Sequence, residues 1–126
     1  MAHVYIVDDD ATLRQLLARR VQQAGHRVTA VGSGAEALDA VRQTGPPDVA
    51  VLDVMMPERT GFELLPLLRQ RLRCPDLPAI FISAWGSQDD VSAAQALDAM
   101  YLAKPFAAVE LLTLLEERLR GKALTG

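Results

Sequence analysis

The 126-residue sequence predicts an α/β domain: a doubly wound, five-stranded parallel sheet in the order 2-1-3-4-5, flanked by five helices. Three observations lead there. Short apolar runs alternate with segments whose apolar residues recur at helical spacing. Two of the runs, Val49 to Leu52 and Ile80 to Ile82, are apolar without alternation, as strands covered by helices on both faces should be. Acidic, hydroxyl and amine side chains stand at the carboxyl ends of the runs, the edge where ligands bind in open parallel sheets.

The first run, His3 to Val7, is closed by Asp8-Asp9-Asp10, after which Leu13, Leu16, Leu17 and Val21 mark a helix. Asp10 stands at its N-cap position, and Gly25 where a left-handed residue follows the last turn. Arg27 to Val31 is the second strand, and Gly32-Ser33-Gly34 a turn. The helix carrying Ala35, Ala37, Leu38 and Val41 stops before Gly45-Pro46-Pro47, and Asp48 to Asp53 is the third strand. Leu64, Leu65, Leu67, Leu68 and Leu72 predict a helix from about Thr60. Pro66 lies inside it, lacking an N–H and clashing with the preceding turn at up to ~3 kcal/mol, so a kink or an irregular first turn is expected. Ala79 to Ser83, behind Pro78, is the fourth strand. Asp89 to Asp98 predicts a helix whose apolar face is mostly alanine, hence weakly packed and mobile. Tyr101 to Lys104 is the fifth strand, and Val109, Leu111, Leu112, Leu115 and Leu119 mark a last amphipathic helix ending near Gly121. Residues 1–120 make one domain, with 121–126 a tail or the start of a linker.

Composition agrees. Half the residues are apolar and 23% are charged, which excludes disorder and leaves enough apolar side chain for a packed core. No apolar stretch approaches the ~20 residues that span a bilayer, and no signal peptide precedes the first strand, so a soluble, cytoplasmic protein without a membrane partner is expected. The net charge of −3 carries no basic block, which argues against direct nucleic-acid binding by this segment. One cysteine, Cys74, excludes an internal disulfide and cysteine-based metal sites. Of thirteen basic residues, only Lys104 and Lys122 are lysines.

Asp8 and Asp9 close the first strand, Asp53 the third, Ser83 the fourth and Lys104 the fifth. The switch point of the 2-1-3-4-5 order falls between strands 1 and 3, the two that carry the aspartates. Three carboxylates gathered there repel one another unless a countercharge sits among them, and a hard cation such as Mg²⁺, which takes a few oxygen ligands and retains water, suits such a set. Carboxylates, Mg²⁺, a hydroxyl and an ammonium at one point suit phosphoryl transfer to a carboxylate: metal and ammonium neutralise phosphoryl oxygens while Asp53 attacks in line. Each residue also has a plainer reading, aspartate as helix cap, serine as turn residue and lysine as solvated charge. Four strand ends supplying acid, acid, hydroxyl and amine together favour the site.

These residues resemble bacterial response-regulator receiver domains, chemotaxis-regulator-like proteins with a flavodoxin-like fold, over Val4 to about Arg120. The resemblance rests on Val7-Asp8-Asp9-Asp10, on Leu52-Asp53-Val54-Met55-Met56-Pro57 with Gly61 after it, on Ser83-Ala84 and on Lys104-Pro105-Phe106. It implies that Asp53 accepts a phosphoryl group from a sensor histidine kinase or phosphotransfer protein, and that the domain catalyses only its own phosphorylation and dephosphorylation. It further implies that Asp9, Asp53 and the Met55 carbonyl ligate Mg²⁺, with Mn²⁺ a substitute, that Asp8 acts largely through a metal-bound water, and that Lys104 pairs with the phosphoryl group. Ser83 and Tyr101 would be the switch residues, and the Lys104–Pro105 peptide would be cis. Helix 4, strand 5 and helix 5 would form the readout surface and a candidate homodimer face.

Two departures stand out. The segment before strand 5 reads Ala96-Leu97-Asp98-Ala99-Met100, without the family's usual Gly-Ala pair, and the interval from Ser83 to Lys104 is about one residue short, so that loop is expected to differ. Trp85 is either ordinary half-buried packing or a cover over the phosphorylation site. His3 and His26 read as surface or strand-edge residues, and Cys74 as an incidental loop residue. Two other functions compete. An Asp-nucleophile, Mg²⁺-dependent phosphohydrolase would use the Asp8-Asp10 spacing, but a substrate-enclosing cap is missing from so short a chain. A receiver-like interaction module that works without phosphorylation would not need the intact acid, hydroxyl and lysine set. Whether the chain is a single-domain regulator or the front of a longer one stays open.

Overall fold

Each strand is five residues or fewer, and the first four helices are each started by a side chain that caps them. The computed structural model describes residues 2–84 and 86–125. Along the chain run β1 (His3–Val7), α1 (Ala11–Gln23), β2 (Arg27–Val31), α2 (Gly34–Thr44), β3 (Val49–Asp53), α3 (Gly61–Leu72), β4 (Ala79–Ser83), α4 (Gln88–Ala96), β5 (Met100–Ala103) and α5 (Ala108–Thr125). The sheet order is β2-β1-β3-β4-β5 and every pairing is parallel, the doubly wound topology that the alternation predicts.

The two-residue period of a strand divides the core. Tyr5, Val7, Leu52 and Phe81 point to one face, where Ala37, Leu64, Leu65 and Leu68 from α2 and α3 cover them. Val4, Ile6, Val51 and Ile82 point to the other, against Leu17 and Val21 of α1 and Leu111 and Leu115 of α5. β1, β3 and β4 are therefore buried along their whole length.

Local chemistry starts the helices as expected. The Asp10 carboxylate accepts from the N–H groups of Thr12 and Leu13. Ser33 caps α2 and Ser87 caps α4, while Thr60 and Glu63 form a reciprocal capping box on α3. The backbone N–H and hydroxyl of Thr60 hold the Glu63 carboxyl below its usual range. Beyond α1, Gly25 takes φ 97°, the conformation for which its sequence position calls.

Five expectations are corrected. α3 runs unbroken through Pro66 from Gly61 to Leu72. Pro66 lies on its exposed side, where the Phe62 carbonyl that loses its partner can turn to water. β5 begins and ends one residue earlier than the pattern suggests, and α4 covers Gln88–Ala96 because Asp98 turns left-handed at φ 53°. α5 continues past Gly121 to Thr125, since one glycine weakens a helix by only about 1 kcal/mol. His3 opens β1, as the strand-edge reading has it, but is not at the surface, being 7% exposed. Its Nδ1–H donates to the Pro46 carbonyl at 3.0 Å and its Nε2 accepts from the Thr29 hydroxyl at 2.7 Å, so both ring nitrogens are satisfied within the fold.

α4 buries a single residue, Ala94, as its alanine-rich face predicts. Among the described residues, no helix is long and apolar enough to cross a membrane.

Candidate functional site

Parallel strands of matched register end together, and their last residues meet. Asp53 pairs with Ile82, Ser83 with Ala103, and the Lys104 N–H donates to the Ser83 carbonyl at 2.7 Å. β1 ends beside β3, so Asp8 lies next to Asp53. Lys104 Nζ is 3.6 Å from Asp8 Oδ2 and 3.6 Å from Asp53 Oδ1, bridging two carboxylates from two strands.

Asp8, Asp9 and Asp53 each offer an oxygen within 4.8 Å of the others. Asp8 and Asp53 are buried and Asp9 is exposed, so the cluster opens to solvent on one side. Asp8 Oδ1 accepts from the Asp10 N–H at 2.9 Å, and Asp53 Oδ1 from the Met55 N–H at 3.3 Å. Asp8 Oδ2 is buried, 3.6 Å from Lys104 Nζ, and has no hydrogen bond among the described residues. An acceptor left in that condition, within a set of hard oxygen donors, fits a cation better than it fits a closed hydrogen-bond network. Burial and the neighbouring Asp8 charge push the Asp53 carboxyl up to about 7, against the pull of Lys104 and the Met55 N–H. The cluster can hold a metal ion.

The remaining candidates surround it. Ser83 is fully buried at the end of β4. The Tyr101 hydroxyl accepts from the Gly86 N–H at 3.0 Å, joining β5 to the loop that follows Ser83. The Met55 side chain is 56% exposed, so only its backbone turns inward, through the N–H on Asp53. The Lys104–Pro105 peptide is cis. Trp85 lies outside the described residues. Gly61 is needed for packing: a Cβ there would stand 2.6 Å from the Asp53 carbonyl oxygen, so only glycine lets α3 begin against the end of β3. The short connection before β5 is closed by left-handed Asp98 and by Ala99 donating to the Ala94 carbonyl at 3.0 Å.

Two arginines escape a reading of the sequence. Arg14 Nη1 donates to the Asp8 carbonyl at 2.8 Å, a bond that looks in the sequence like a charge on a solvated helix face. Arg69 on α3 donates twice to the Leu77 carbonyl and once, at 2.7 Å, to Leu97 at the end of α4. Nothing local signals that contact, because Arg69 and Leu97 are 28 residues apart. Burial lowers the Arg69 pKa from its usual value.

Comparison with known proteins matches this geometry. The probable transcriptional regulatory protein TcrX of Mycobacterium tuberculosis is 32% identical over 97% of this chain and 51% of its own. The response regulator MprA of a Mycobacterium species is 40% identical over 93% of this chain and 50% of its own. The chain thus spans about half the length of these relatives. The crystallised Vibrio cholerae chemotaxis protein CheY4 superposes with a TM-score of 0.86 at 32% identity, covering 94% of this chain and 99% of that one. Residues 4–116 match the model of the response regulator receiver domain, and on that match, with the strand-end acids and lysine in place, the chain belongs to the receiver domain family of response regulators.

Proposed function

We propose that Asp53 is the phosphoacceptor of this receiver, taking its phosphoryl group from a phosphohistidine on a sensor histidine kinase or phosphotransfer protein. The observation that carries the reading is Lys104 Nζ at 3.6 Å from Asp8 Oδ2 and from Asp53 Oδ1, the Asp8 oxygen being buried and without a hydrogen bond among the described residues. A carboxylate oxygen of Asp53 forms the new bond to phosphorus as the bond to the imidazole nitrogen breaks, in line. Lys104 stands where a compact ammonium can follow the incoming phosphoryl oxygens, a role that suits lysine better than arginine's fork. Asp9, Asp53 and the Met55 carbonyl would hold Mg²⁺, or Mn²⁺ in its place, with Asp8 acting through water. A bound ion would supply charge neutralisation to the transferring group. In the metal-free protein Asp53 near 7 is partly protonated at neutral pH and a poor nucleophile, and its ionised form would be favoured with a cation held beside it.

The same site sets the switch. A phosphoryl group adds about two negative charges, and a donor that turns toward it is stabilised. Ser83 is the hydroxyl at hand, and its movement clears the way for Tyr101, whose present bond to the Gly86 N–H would be released. The weakly anchored α4 and its neighbours β5 and α5 then form the surface that changes, for a partner or a second copy. The domain acts as a signalling element that catalyses only its own phosphorylation and dephosphorylation.

Intact-mass analysis after incubation with acetyl phosphate and Mg²⁺ tests this. One phosphoryl group is expected on the wild type and none on Asp53→Asn. An unmodified wild type, or equal modification of the variant, refutes the assignment; rapid multiple turnover of small phosphate esters favours the phosphohydrolase.

A further inference from the structure

Of the three carboxylates, Asp9 alone is exposed, so the backbone before it must set its direction. That backbone is tied at Asp8. Its N–H donates to the Val31 carbonyl at 3.1 Å, its Oδ1 accepts from the Asp10 N–H, and its carbonyl accepts from Arg14 Nη1 at 2.8 Å. The last bond fixes the plane of the Asp8–Asp9 peptide, because the Asp8 carbonyl and the Asp9 N–H belong to one rigid unit.

Arg14 comes from the first turn of α1 and passes over the loop between β2 and α2. It passes where Gly32 has no side chain: a Cβ there would stand 2.9 Å from Arg14 Nη1. The loop does not need glycine for its own conformation, since Gly32 is not among the positive-φ residues. Its N–H is held separately by Glu36 Oε2 at 2.7 Å. The bare Cα therefore leaves the path of the guanidinium open. We propose that Arg14, admitted by Gly32, is a positioning residue that holds the Asp8–Asp9 peptide so that Asp9 faces the cation site. Arginine suits the task, being always charged and able to donate from a rigid planar fork. The inference rests on the reading above that these aspartates hold a divalent cation.

Arg14→Gln, Gly32→Ala, the double variant and the exposed control Arg19→Gln test it. By calorimetric titration with Mg²⁺, the dissociation constant should rise about tenfold in Arg14→Gln and in Gly32→Ala, in the range found when outer-shell partners of metal ligands are removed. The phosphorylation rate from acetyl phosphate at saturating Mg²⁺ should fall by only about threefold, because the lost positioning is of the ion's ligand and not of Asp53. In the metal-free variants the Asp9 amide should exchange faster with solvent. The double variant should be no weaker than Arg14→Gln alone, since Gly32 acts through Arg14. Unchanged Mg²⁺ affinity in Arg14→Gln, additive losses in the double variant, or an equal loss in Arg19→Gln would overturn the inference. A wild type that neither binds Mg²⁺ nor accepts a phosphoryl group overturns the function itself.

Discussion

Replacing Asp53 by Asn should stabilise the metal-free protein, and by an amount that depends on pH. Asp53 is buried next to Asp8, and its carboxyl is raised from 3.8 to about 7. At about 1.36 kcal/mol for each pH unit, holding it ionised in the fold costs about 4 kcal/mol above pH 7. Asn has nearly the same shape and carries no charge, so it removes that penalty. Relaxation around the new amide trims the gain, and about 2–4 kcal/mol is expected. The sign follows from proton counting. Between about pH 4 and pH 7 the folded wild type holds a proton that the unfolded chain has released, so its stability falls as pH rises through this window. Asn lacks the group, and its advantage should grow from near zero at about pH 4 to its full value near pH 8. Urea unfolding in the presence of a chelator, followed by circular dichroism across this range, measures it. Mg²⁺ at a hundredfold excess over its dissociation constant adds about 2.7 kcal/mol to the wild type and should erase most of the difference. A pH-independent difference, or an Asn variant less stable than wild type at pH 8, would refute the buried-charge reasoning.

Other outcomes follow from single contacts. Gly61→Ala forces a Cβ against the Asp53 carbonyl, a backbone atom that cannot swing aside, and should lower stability by about 1–3 kcal/mol in urea and slow phosphorylation of Asp53. Arg69→Gln removes the charge-assisted bonds to Leu77 and Leu97 and should lose about 2 kcal/mol, with faster hydrogen exchange concentrated in α4. Thr60→Ala breaks the capping box of α3 and should cost about 1 kcal/mol, without moving the Mg²⁺ affinity.

Much of the site is legible in the sequence because its residues close strands. A run such as Val49 to Leu52 can only be buried, so the polar residue after it must lie at the sheet's edge, and parallel connections bring all such edges together. Asp10 and Gly25 are legible for a different reason, since a cap and a left-handed residue act within a few positions of themselves. His3 is misread because an imidazole beside apolar residues does not reveal that Thr29 and Pro46 will satisfy it. Pro66 is misjudged because exposure, which decides whether its lost hydrogen bond matters, is a property of the folded helix.

Local period and strand-end position are enough to read the alternation of strand and helix and the set of acid, hydroxyl and amine side chains, and the sheet order follows from the doubly wound class. How those groups interact is set by the tertiary structure. It placed Lys104 midway between Asp8 and Asp53, left one Asp8 oxygen without a hydrogen bond, and raised the Asp53 carboxyl. It also ran Arg14 across Gly32 to the Asp8 carbonyl. Burial and charge proximity depend on distances between atoms far apart in the chain, and those distances exist only once the sheet has closed over its helices.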